Sequence, residues 1–320
     1  MNPAVETFGL AKRYRKVEAL KNLDMTVPAN TVCGFLGPNG AGKTTTMRIL
    51  MGLSRPTTGT AKIMGSSIDG DGLQIRSHVG YLSQDPSFYP RFRVHNVLRF
   101  AARRYLAGSR REIDARVEET LEQIGMADRA GRRVKALSGG ERQRLGIGQA
   151  VIGRPDLLIL DEPSVGLDPE GRFQVLSLIE SLRDQATIFY SSHILDDVQR
   201  IADHVVILDR GEIIAEGPME QFLGSGARYR VIIEGTDGSA PQSFQNLPWV
   251  TNVTGNGNGT WEVAVSDQET AERELLRVLA RDHGTAIREL RPLVQSLEDT
   301  YVGAVGAVVA ERAEEADNDR

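Results

Sequence analysis

Three short apolar runs, residues 157–160, 187–190 and 204–208, alternate with segments whose apolar positions recur at helical spacing. Runs of that length predict strands buried on both faces, and the segments between them predict the crossover helices of a parallel sheet. Between 91 and 133 the pattern turns helical, with Ile113, Val117, Leu121 and Ile124 on one face and charges opposite. From 5 to 65 short strand-like runs alternate with turn signals. Past Gly224-Ser225-Gly226 the composition shifts: strands are expected near 229–234 and 261–265, the second preceded by the turn-rich 255–259, and a helix over about 269–280. The pattern predicts an α/β protein: an α/β core, a β-rich region before it, a helical region between them, and a small α+β C-terminal domain. The expected boundaries are 4–225, 226–310 and an acidic tail at 311–320.

Bulk properties narrow the possibilities. Lys and Arg number 38 against 43 Asp and Glu, a net charge of −5 that argues against a general nucleic-acid binder. Residues 1–13 lack the apolar core of a signal peptide, and no run approaches the ~18 apolar residues of a membrane span. The run at 301–310 is too short and glycine-rich. The chain is therefore expected not to cross a membrane by itself. The single cysteine, Cys33, lies in an apolar run and reads as a small buried hydrophobe.

The chemistry is concentrated in short motifs. Gly37-Pro38-Asn39-Gly40-Ala41-Gly42-Lys43-Thr44-Thr45 follows the apolar run 31–36 and opens a helix-like run at 44–53. Such a loop cradles phosphates: amides around Gly40 to Lys43 face the oxygens, Lys43 reaches the β and γ phosphates, and the Thr44 hydroxyl ligates Mg²⁺. Asp161 and Glu162 close the 157–160 run, where α/β folds place their ligands. Because side chains alternate along a strand, the two carboxylates should do different jobs. Ser138 with Glu141 three residues on predicts a capping box, and Gly139 and Gly140 leave that helix N-terminus open to an anion.

One chain thus carries two anion-binding helix N-termini but one phosphate loop. With Leu137-Ser138-Gly139-Gly140-Glu141, Leu160-Asp161-Glu162-Pro163, Gly166-Leu167-Asp168-Pro169 and Ser191-Ser192-His193 in this order, residues 4 to 225 resemble the ATP-binding cassette (ABC) ATPases. The resemblance implies a P-loop NTPase core with a β-rich subdomain and a helical subdomain at about 91–150, and ATP and Mg²⁺ as cofactors, with Asp161 holding Mg²⁺ through water and Glu162 polarising the attacking water. It further implies that His193 contacts the γ phosphate, that Gln84 senses Mg²⁺ and water, and that Tyr14 stacks on adenine. Ser138, Gly139 and Gly140, with Asp168, would close on nucleotide held by the other subunit of a homodimer.

Two stretches, 191–197 and 296–301, are similar to the ATPase subunits of ABC-2-type exporters, whose permease is a separate integral-membrane polypeptide. This implies a location on the cytoplasmic face of the cell membrane and no nucleic-acid partner. A cassette ATPase acting on ribosomes or DNA, an importer subunit, and a nucleotide-gated module without turnover remain alternatives. Two departures from the family pattern stand out: Gly146 and Gly148 interrupt a helix, and His95 replaces a frequent glutamate.

Overall fold

The computed structural model describes residues 3–70, 72–223, 228–234, 244, 247–255, 259–280, 286–293, 297–298 and 301. The predicted tail at 311–320, the run at 302–310 and part of the 296–301 motif lie outside them. The chain divides between Met219 and Glu220 into two compact units.

The first unit runs β1 (Val5–Tyr14), β2 (Val17–Val27), β3 (Val32–Leu36), α1 (Lys43–Leu50), β4 (Thr58–Ile63), β5 (Ser66–Ser67), α2 (Gly72–Ser77) and β6 (Val79–Leu82). It continues with α3 (Val94–Tyr105), α4 (Arg110–Gln123), α5 (Gly139–Val151), β7 (Leu157–Leu160), α6 (Pro169–Ser181), β8 (Thr187–Ser192), α7 (Leu195–Ile201), β9 (His204–Asp209) and β10 (Glu212–Pro218). An antiparallel sheet has the order β2-β1-β4-β5, and a second sheet has the order β10-β9-β3-β8-β7-β6. In the second sheet β3, β6, β7, β8 and β9 pair in parallel and β10 joins the edge antiparallel. Every residue of β3, β7 and β8 is buried, which is why these strands show no alternation of apolar and polar positions.

Helix α1 is held from both sheets. Its Met47, Ile49 and Leu50 share one core with Leu10, Leu20 and Leu23 of the antiparallel sheet and with Phe35, Ile159, Phe189 and Val206 of the parallel sheet. The phosphate loop that precedes α1 is thus anchored at the junction of two sheets. In the helical subdomain Ile113, Val117, Leu121 and Ile124 are all buried, as their spacing predicts.

The two glycines inside α5 have a packing reason. A Cβ on Gly146 would lie 2.5 Å from Leu82 Cδ1, and one on Gly148 would lie 2.7 Å from Ile124 Cδ1. Alanine at a helix interior is worth up to ~1 kcal/mol over glycine, yet Leu82 and Ile124 are themselves buried, so admitting a methyl requires the core around them to repack. Gly146→Ala is therefore expected to lower the melting temperature; an increase would show that propensity outweighs this packing.

The second unit contains the rest of α8 (Met219–Leu223), then β11 (Arg228–Glu234), β12 (Val250–Gly255), β13 (Thr260–Val265), α9 (Gln268–Leu279) and β14 (Ala286–Leu293). Its antiparallel sheet has the order β12-β13-β11-β14. Tyr229, Val231 and Ile233 alternate into a core with Trp261, Val263 and Val265, and Ala271, Leu275 and Leu279 of α9 join that core. Strands β12 and β14 were not legible in the pattern. In β14 the inward residues Ile287 and Leu290 are three apart, because pairing with β11 slips between Ile232↔Glu289 and Ile233↔Ile287. That bulge erases the period of two on which a strand prediction depends. Among the described residues no helix is long and apolar enough to cross a membrane.

Candidate active site

Strand β3 ends at Leu36 and α1 begins at Lys43, so the loop between them lies at the C-terminal edge of the parallel sheet. Gly37 donates its N–H to Ser192 O at 3.3 Å, and a Cβ there would sit 2.2 Å from Leu208 O. Ala41 N–H donates to Pro38 O at 3.2 Å, which curls Pro38, Asn39 and Gly40 back on themselves. Gly42 caps α1 in the left-handed region at φ 117 with no side-chain cap, a conformation only glycine adopts readily. The first helical bond runs from Thr46 N–H to Gly42 O at 2.9 Å, so the amides of Lys43, Thr44 and Thr45 precede it and have no acceptor within the helix. Gly40, at φ 85, has no atom within 4 Å of where a Cβ would lie. Unpaired helix-start amides beside open space fit a phosphate group.

The charged groups converge from three elements. Lys43 Nζ donates to Gly37 O at 2.6 Å and Pro38 O at 3.2 Å, and it pairs with Glu162 Oε1 at 3.1 Å. Thr44 Oγ1 donates to Asp161 Oδ1 at 3.0 Å, and Ser191 Oγ donates to the same oxygen at 2.9 Å. Ser191 Oγ in turn accepts the Glu162 N–H at 2.8 Å. The second oxygen of Glu162, Oε2, meets His193 Nδ1 at 2.9 Å.

Glu162 occupies the left-handed region, with φ 48. Such a conformation costs a non-glycine residue on the order of 1–3 kcal/mol and persists only where its surroundings enforce it. Here the bond to Ser191 and the contacts with Lys43 and His193 do so. This corrects the reading from strand alternation. Strand β7 stops at Leu160, and the two carboxylates part because the backbone turns left-handed at Glu162, directing Asp161 to Thr44 and Glu162 to Lys43 and His193.

Burial pushes the Asp161 carboxyl above its ordinary value; hydrogen bonds from Ser191 and Thr44 oppose this, and the neighbouring charge of Glu162 adds to it. A carboxyl raised on folding favours the protonated folded state, so its contribution to stability is present at low pH and lost as pH rises through the raised value. Ionised Asp161 is thus a cost that a cation would relieve. Asp161→Asn, which keeps an oxygen acceptor for Thr44 and Ser191, is expected to melt higher than the parent at pH 8. The difference should shrink as pH falls through the raised value; melts in which it grows would reverse the assignment.

The other predicted residues come from other segments of the chain. Gln84, two residues past β6 and exposed, lines a cavity with Gly139, Gln143, Gly166 and Leu167. Tyr14 ends β1 and is 44 % exposed, with Lys12 Nζ 4.8 Å from its ring centroid and its hydroxyl 3.3 Å from Ser54 Oγ. Ser138 and Glu141 form the capping box: Glu141 N–H donates to Ser138 Oγ at 3.2 Å and Ser138 N–H to Glu141 Oε2 at 2.8 Å. Burial raises the Glu141 carboxyl, but the Ser138 N–H, Arg129 and Arg132 outweigh it and hold it below its ordinary value. Asp168 caps α6, accepting from Gly171 N–H at 3.1 Å. Ser138, Gly139, Gly140 and Asp168 line one cavity, and none of residues 37–45 is among its walls. Ser191 carried no role in the sequence reading, although two serines ending an otherwise apolar, fully buried strand are a legible signal.

The fold and the cluster of Lys43, Thr44, Asp161 and Glu162 define a P-loop nucleotide hydrolase. A family model described as ABC transporter matches residues 20–165. The chain is 36 % identical over 300 residues to the uncharacterized ABC transporter ATP-binding protein YxlF of Bacillus subtilis, covering 93 % of this chain and 98 % of the relative. It is 30 % identical over 317 residues to the daunorubicin/doxorubicin resistance ATP-binding protein DrrA of Streptomyces peucetius, covering 98 % and 95 %. A dimeric ATP-binding cassette solved with ADP and Pi matches with a TM-score of 0.62 at 23 % identity, over 68 % of this chain and 99 % of that one, a likeness of fold. The chain belongs to the family of ABC transporter ATP-binding proteins; it binds ATP and is an ATPase.

Proposed function

We propose that this chain is the ATP-hydrolysing subunit of an exporter, working as a head-to-tail homodimer on the cytoplasmic face of the membrane against a separate integral-membrane permease. The observation that carries the dimer is the separation of two half-sites: the cavity of Ser138, Gly139, Gly140 and Asp168 has no wall from residues 37–45. A second copy would bring these halves together on one nucleotide. The exporter class is supported by relatives such as DrrA, whose name assigns it to drug resistance. The second unit, Glu220–Gly303, is an accessory element of that dimer.

In the proposed reaction the amides of Lys43 to Thr45 bind the phosphates, and Lys43 exchanges the carbonyls of Gly37 and Pro38 and the Glu162 carboxylate for β and γ oxygens. Glu162 Oε1, released from the ammonium, accepts a proton from the attacking water as the new O–P bond forms and the bond to the β phosphate breaks, yielding ADP and phosphate. His193, already on Oε2, holds the carboxylate's orientation and reaches the γ phosphate. Gln84 senses the water, and Tyr14, with Lys12 Nζ over one face of its ring, offers the other face to adenine. Mg²⁺ fits the Thr44 hydroxyl and the Asp161 carboxylate, a hard-oxygen pair. Among the described residues no cluster of three His, Cys, Asp or Glu could hold a metal unaided, which suits an ion shared with substrate phosphates. Bound there, it neutralises charge on the β and γ phosphates.

The test is affinity purification of Glu162→Gln from detergent-solubilised membranes of the native cell with Mg-ATP. A polytopic membrane protein in stoichiometric amount is the expected result. Ribosomal or DNA-repair proteins without a permease would overturn the transport assignment and leave the ATPase intact.

A further inference from the structure

The side chains of Glu162 and His193 meet at 2.9 Å, yet each sits on a segment that has just left its strand, β7 for Glu162 and β8 for His193. Two ties cross between these segments, one on each side of that contact. The first is Ser191, which accepts from Glu162 N–H at 2.8 Å and donates to Asp161 Oδ1 at 2.9 Å.

The second lies beyond the contact. Asp197, on α7 and 1 % exposed, accepts from Ser164 Oγ at 2.6 Å and from Arg172 Nε at 2.5 Å. Ser164 is two residues past Glu162, and Arg172 is in the first turn of α6. Tyr190 Oη donates to the Asp197 carbonyl at 3.1 Å, so the backbone of α7 is also fixed to β8. A carboxylate this deeply buried costs stability unless it is paired and hydrogen-bonded, and here each oxygen has a donor from the Glu162 side.

We infer that Asp197 is a positioning residue for hydrolysis: with Ser164 and Arg172 it clamps the segment after Glu162 to the helix after His193, and so fixes the His193–Glu162 contact. Ser191 alone is one pivot, about which the two segments can still rotate. Asp197 supplies the second, on the far side of the contact, and two pivots define an orientation. The inference rests on the reading of Glu162 and His193 as the hydrolytic pair. It assigns the buried one of the two acidic residues of α7 to the geometry of that pair rather than to nucleotide binding.

The test uses the full chain. Asp197→Asn and Ser164→Ala are each expected to lower kcat roughly tenfold to a hundredfold, the scale of a lost alignment, while KM for ATP stays within about twofold. In a His193→Ala background, measured by single turnover, Asp197→Asn should add no further loss. The His193 ring resonances, identified by their disappearance in His193→Ala, should shift in both variants. Equal losses with and without His193, a parallel rise in KM, or unmoved His193 resonances would each overturn the clamp. If Asp197→Asn fails to fold, Ser164→Ala keeps the Asp197–Arg172 pair and carries the same readouts. The resonance measurement needs no turnover, so failure of Glu162→Gln to affect hydrolysis would strike the reading of the site without deciding the clamp.

Discussion

Glu162→Gln is expected to bind ATP with near-parental affinity and to lower turnover by about two to four orders of magnitude, the usual range for losing a positioned proton acceptor. The size of the effect follows from the geometry. The Glu162 carboxylate is buried, has one oxygen on Lys43 and the other on His193, and sits on a backbone held left-handed at φ 48. Glutamine has the same shape and can keep one contact through its carbonyl, so the fold and the phosphate loop should survive. What it lacks is a negative oxygen able to take a proton from water. With chemistry blocked and binding intact, the variant should accumulate as a closed dimer in Mg-ATP, visible by size exclusion. Turnover within about tenfold of the parent would remove Glu162 from the role of acceptor.

Lys43→Ala should damage both binding and stability. Loss of the ammonium takes away the contact to the β and γ phosphates, so nucleotide affinity and turnover should collapse together. It also strands a buried acid: Glu162 would keep His193 but lose the Lys43 ammonium, the carbonyl of Gly37 would lose that donor, and the carbonyl of Pro38 would keep the Ala41 N–H alone. Removing one member of a buried ion pair costs about 3–5 kcal/mol, which for a unit of this size lowers the melting temperature on the order of 10 °C. The diagnostic is the double variant. Adding Glu162→Gln to Lys43→Ala removes the uncompensated charge and should recover much of the lost melting temperature without restoring hydrolysis. If the two substitutions simply add, the pair contributes nothing to stability and the melting shift has another origin. Near-parental hydrolysis by Lys43→Ala would remove the lysine from the mechanism.

What was legible in the sequence is what short-range physics writes there. The phosphate loop is set by glycines and by the start of one helix; the capping box of Ser138 and Glu141 joins residues three apart; β7 and the middles of β8 and β9 are apolar runs because both their faces are covered. Such features depend on neighbours in the chain, so composition and spacing reveal them. The left-handed turn at Glu162, the bridging role of Ser191, the burial of Asp197 against Ser164 and Arg172, and the slipped register that hides β14 depend on partners brought together by folding. Thr44 meets Asp161 across 117 positions of sequence, and Glu162 meets His193 across 31. By itself the sequence determined that this chain holds a phosphate loop, two adjacent acids and the order of a cassette ATPase. Only the tertiary structure decided which acid faces the lysine and which the threonine, since that choice lies in one backbone dihedral enforced by side chains from other strands.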